Sequence, residues 1–185
     1  METAAPQGFP STFTVLEPEY PPTGTRVAEY EFAHYHEAAT EWRYLQFSAV
    51  SGGRTWNGRF KSGRPKIGGI TSIFALADGN AAVVILAGLG YLIRFDEPPR
   101  WNPIEVPPII RAKVLTEDRA VALASYTGIT VCGDSNVICT LEGISADGVE
   151  LGEARKGLLE AKVWSGNKGD ETLGIDLRTG KLVKL

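Results

Sequence analysis

His34 and His36 are the only histidines in the sequence, and they stand two residues apart. On a β-strand, side chains at i and i+2 leave the same face, so both imidazoles would point to one side. That is the first requirement for chelating a metal ion. Glu41 follows shortly after and offers a carboxylate. Two imidazoles and one carboxylate form a known iron geometry with open coordination positions. His34, His36 and Glu41 are therefore the candidate metal ligands. With two histidines in the chain, a three-histidine site within it is excluded.

The spacing His-x-His-x4-Glu resembles the first metal motif of the cupin family, which is also all-β. The resemblance implies a metal-dependent enzyme that uses His34, His36 and Glu41. The family pattern has a glycine six residues before the first histidine, where this chain has Ala28, and its second motif needs a further histidine.

Other chemistry is thinly represented. No Gly-x-Ser-x-Gly elbow is present. Ser125, Ser135 and Ser145, or Cys132 and Cys139, would have to recruit His34 or His36 as base. Asp147 with Glu150, and Asp170 with Glu171, are carboxylate pairs of the kind that serve glycosidic acid–base chemistry. Gly52-Gly53 and Gly88-Leu89-Gly90 lack the lysine and hydroxyl of a phosphate loop. The two glycines of the second stretch read as a sharp bend between strands.

A basic strip, Arg54, Arg59, Lys61, Arg64 and Lys66, is interleaved with Trp56 and Phe60. Trp56, set among Thr55, Asn57 and Gly58, reads as the most exposed tryptophan. Trp56, Arg54 and Arg59 are the candidate ligand-binding residues. The net charge of -3 and a pI of about 5.5 argue against nucleic acid or an anionic membrane as partner.

These residues must be held by strands. Residues 1–25 carry five prolines and read as an extended arm, with one short edge strand over residues 12–16. Residues 26–50 alternate with period two, which predicts a β-hairpin turning at residues 37–40. Residues 54–60 make a further short strand. Three clear strands follow at 70–77, 81–87 and 89–95, the first turn being Asp78-Gly79-Asn80. Residues 96–108, with five more prolines, read as a loop pinned by Trp101. Strands resume at 109–115, 120–126, 129–132 and 137–142, and again at 158–164, 173–177 and 181–185. Cys132 and Cys139 face each other only if the loop between them is Ser135-Asn136; a loop shifted by one leaves them diagonal and free.

A faint repeat aligns residues 76–91 with 115–131 at an offset of 39, rising to 40 at the glycine. Each copy reads strand, acidic turn, apolar strand, glycine, strand, the size of one propeller blade. The segment Asp176-Leu-Arg-Thr-Gly-Lys-Leu also resembles the turn of pyrroloquinoline-quinone-type propeller repeats, without their tryptophan.

The expected fold is all-β: an antiparallel sandwich or barrel-like domain over residues 26–185, built from propeller-like hairpins and preceded by the arm. The longest apolar run, Ala81 to Leu89, is shorter than the roughly 20 residues a helix needs to cross a bilayer. With no signal-like start, the expectation is a cytoplasmic protein, and a homo-oligomer fits equally. Scarce catalytic residue types favour a module that binds a small molecule or a protein, without catalytic activity or cofactor. The alternatives are the cupin-like enzyme and a structural protein that docks through its arm.

Overall fold

The computed structural model describes residues 6–18, 27–34, 36, 39–52, 54–64, 68–134, 136–166 and 169–185. Within them the chain is all-β. Among the described residues, no helix is long and apolar enough to cross a membrane. The strands form four sheets, none closed into a barrel.

The first sheet holds β2 (Phe13–Leu16), β3 (Ala28–Phe32), β4 (Glu41–Ala49) and β5 (Thr55–Ser62), in the order β2-β4-β5-β3. The hairpin expected over residues 26–50 is not formed. β4 is flanked by β2 and β5, both antiparallel to it, so no edge is left for β3. β3 takes the free edge of β5 instead, and runs parallel to it. The ladder ends at Phe32, so His34 and His36 lie beyond the strand.

The second sheet holds β1 (Gln7–Gly8), β6 (Ser72–Ala75), β7 (Ala81–Leu86), β8 (Leu89–Arg94) and β9 (Arg100–Ile104). The three strands β6 to β8 are consecutive and antiparallel, as their sequence predicts. In the first turn Asp78 accepts a hydrogen bond from the Asn80 amide at 3.0 Å, and Gly79 takes the left-handed conformation. The loop expected over 96–108 contains β9, because Pro103 sits on an edge strand where its missing N–H costs nothing. Trp101 of β9 does pin this segment, lying 5.7 Å from the Tyr91 ring and 5.9 Å from Phe32. Gly90 is not a bend. It lies inside β8, where a Cβ would come within 2.5 Å of the Ile109 side chain.

The third sheet is the meander β10 (Arg111–Leu115), β11 (Ala120–Ala124), β12 (Ile129–Gly133) and β13 (Asn136–Leu141). Gly133 pairs with Asn136, so the tight loop is shifted by one and Cys132 faces Val137. Both thiols are free. The fourth sheet is the meander β14 (Val149–Arg155), β15 (Leu158–Trp164), β16 (Asp170–Asp176) and β17 (Lys181–Lys184). β14 was not expected, because Gly152 and Glu153 interrupt its alternation at a register shift. The Asp176 segment forms a hairpin turn, its carboxylate accepting from the Arg178 amide at 2.8 Å.

The sheets pack face to face in chain order. Phe13, Phe47 and Phe60 of the first sheet meet Val84, Tyr91 and Ile93 of the second. The opposite face of the second sheet, with Val83, Ile85 and Leu92, meets Val121 and Leu123 of the third. Ala122 and Val131 of the third sheet meet Leu159 and Ile175 of the fourth. Phe13 and Val15 are buried, so the described part of the proline-rich stretch is packed into the sheets and not extended as an arm. Residues 19–26, with Pro21 and Pro22, lie outside the described residues.

Candidate functional site

A cleft of about 420 Å³ opens where the first and second sheets diverge. β4 and β5 supply its floor through Phe47 and Trp56, whose rings stack at 4.2 Å and 16°. Tyr30 from β3 meets Trp56 edge-on at 5.8 Å, and Phe95, just past β8, lies 4.0 Å from Phe13. Alternation places these rings: inward positions of adjacent strands converge wherever two sheets share a core. The rim is polar, with Thr12, Ser48, Thr55 and Asn80. Arg54 and Glu97 pair across it at 2.7 Å with both side chains 69% exposed.

Two of the three expected ligand-binding residues, Arg54 and Trp56, therefore line one cleft. Trp56 is half-buried against Phe47 and not an exposed loop residue, because residues 55–62 form an inner strand of the first sheet. Arg59 does not join them. It leaves the opposite face of β5, pairs with Glu31 and lies over the Trp42 ring at 4.3 Å. The hydrogen bond to Glu31 raises its pKa further. Tyr30 belongs to the set of aromatic residues in the sequence that could form a contact patch on a β face. Sequence reasoning missed Phe95 and Glu97, which precede Pro98-Pro99, where a rigid connection after β8 was the available signal.

The histidines define a second hollow, of about 270 Å³, with Trp101, Pro103 and Glu105. The rings of His34 and His36 are 6.1 Å apart, and the His36 amide donates to His34 Nδ1 at 3.3 Å. Burial lowers the pKa of His34, partly offset by the Ile104 backbone and by Glu105. Glu41, on the first residue of β4, does not line this hollow. The carboxylate that does is Glu105, far along the sequence. Among the described residues, no three His, Cys, Asp or Glu side chains come close enough to hold a metal ion. The spacing of the resemblance brings the two imidazoles together without the third ligand it implied.

Both thiols are poor nucleophiles in this setting. Burial pushes Cys132 up to about 12, with Cys139 adding to the shift, and burial also raises Cys139. No protein-family model, curated protein or solved structure matches the chain.

Proposed function

We propose that the chain is a binding module whose ligand enters the cleft between the first and second sheets. The observation that carries this reading is the convergence of Arg54 with the Phe47–Trp56 stack in one cleft. Apolar ring surface with a few oriented polar groups is the usual make-up of a small-molecule site. The Arg54–Glu97 pair is solvent-exposed, and such pairs contribute little to stability. A carboxylate on a ligand can therefore replace Glu97 at low cost. The ligand class is a flat, largely apolar molecule with one anionic group.

Indole-3-acetate and its uncharged amide are suitable probes, titrated by calorimetry. The acid is expected to bind at least about tenfold more tightly than the amide, and Arg54→Ala to remove that difference. Equal binding of the two probes, or an unchanged preference in Arg54→Ala, would count against the reading. Arg54 is exposed, so its removal leaves the core intact.

The finer architecture we propose is a run of propeller-like four-stranded units. In its support, β7 begins at Ala81 and β11 at Ala120, 39 residues on, while β8 begins at Leu89 and β12 at Ile129, 40 residues on. The same offsets relate the repeated sequence stretches.

A further inference from the structure

The chain has four tryptophans, and the structure gives them different company. Trp42 is covered by Arg59 and Lys61, each 4.3 Å from its ring. Trp56 stacks on Phe47, and Trp101 packs on Tyr91. Trp164 has no ring or cation packed on it among the described residues, and it is 42% exposed. Its indole stands beside a hollow of about 270 Å³ and offers an aromatic face to whatever enters it. That volume is near the lower end of ligand sites, roughly 300 Å³, and suits a single small ring.

The hollow lies where the third and fourth sheets meet. Arg111, Asp147, Glu150, Lys162 and Asp170 line it with Trp164. Of the carboxylate pairs found in the sequence, the first thus contributes both members, Asp147 and Glu150, and the second contributes Asp170. The wall is built and not a chance gathering of surface charge. Ser145 is only 7% exposed; its hydroxyl donates to the Gly148 carbonyl at 2.6 Å and accepts from the Trp164 amide at 3.1 Å. The Ala146 amide donates to the Trp164 carbonyl at 2.8 Å. The turn bearing Asp147 is therefore fixed to the strand end bearing Trp164. Arg111 donates to the Val149 carbonyl at 2.9 Å, which ties the third sheet to the same wall. Lys162 and Asp170 pair at 2.6 Å.

The chemistry of the lining selects among ligand classes. The carboxylates do not converge closely enough for a metal ion. Arg111 and Lys162 oppose an organic cation, and three carboxylates oppose an anion. A neutral ligand whose groups each donate and accept hydrogen bonds meets both kinds of partner. A pyranose does so along its edge, and its C–H face lies flat on an aromatic ring. We propose that this hollow is a saccharide-binding subsite, with Trp164 as the platform and Asp147, Glu150 and Lys162 as hydrogen-bonding partners for ring hydroxyls.

The test is a titration of the protein, labelled with ¹⁵N at its indole nitrogens, with maltotetraose, cellotetraose, xylotetraose and chitotetraose. Spermidine and calcium chloride serve as the competing classes. Trp164→Phe assigns the Trp164 signal. At least one tetrasaccharide at millimolar concentration is expected to move that signal, with affinity falling at least about tenfold in Trp164→Ala and in Asp147→Asn. Because Trp42, Trp56 and Trp101 report on the first two sheets, a far-ultraviolet circular dichroism spectrum and melt matching those of the native protein would show that each variant keeps its fourth sheet folded. No shift with any of the four sugars would overturn the proposal. So would a shift with spermidine or calcium alone, binding that survives in both variants, or a sugar-induced shift confined to Trp56.

Discussion

His34 occupies the junction of the first two sheets with its ring 5.5 Å from Tyr91 and edge-on to it. His36 and Glu105 are the titratable neighbours in its hollow, and Ile104 contributes its backbone. Burial disfavours the charged imidazolium, so the folded pKa lies below the ordinary imidazole value of about 6.5. The neutral ring then contributes stability that is present above about 6.5 and is lost as pH falls through the folded value. Thermal melts between about pH 7.5 and about pH 5 should show Tm falling more steeply in the native protein than in His34→Gln. Parallel curves would show that His34 does not carry the acid limb. At this scale the sequence was half legible. A spacing of two on a strand would put the imidazoles on one side; they line one hollow, but beyond the end of β3, where strand alternation no longer places them. The nearby carboxylate was hidden, since Glu105 reaches the hollow through strand pairing of β8 with β9 and no local spacing encodes that.

The strands that read best are the ones buried on both faces. β7 is apolar at all six positions because its alternate residues enter two different cores. Val84 faces the first sheet and Val83 the third. β11 is buried throughout for the same reason, between the second and fourth sheets. Val84 is fully buried, so Val84→Asp would place a charge where no partner exists. The expected cost exceeds about 3 kcal/mol, a fall in Tm of roughly 6–12 °C or more for a chain of this size. Circular dichroism melts of the two proteins measure it, and an unchanged Tm would show that β7 is peripheral. Strands with one solvated face read less well. β3 and β4 each alternate as the pattern predicts, yet pairing is a competition for edges. β2, a four-residue strand in a proline-rich stretch, takes the edge of β4 and so sends β3 to β5. β14 was lost for a similar reason, since a bulge resets its period.

At the scale of the whole molecule, the three cores form a series, each shared by sheets adjacent in sequence. Among the described residues, no apolar cluster joins the fourth sheet to the first. Units that contact only their neighbours have stabilities that add approximately as unit and interface terms, and their ends can separate from the rest. The fourth sheet holds a single aromatic group in its strands, the exposed Trp164, and depends on Leu159, Ala161, Val163 and Ile175 against the third. Leu159 is fully buried, and Leu159→Ala removes about 2–5 kcal/mol from that one interface. The tryptophans report on different parts of the series: Trp42 and Trp56 on the first sheet, Trp101 on the second, Trp164 on the fourth. In urea, the Trp164 indole signal of Leu159→Ala should collapse at a lower concentration than those of Trp56 and Trp101. The latter two should keep nearly their native midpoints. A cooperative globule with one shared core would instead lose all four signals together, with a common lowered midpoint, and that result would exclude a series of separable sheets.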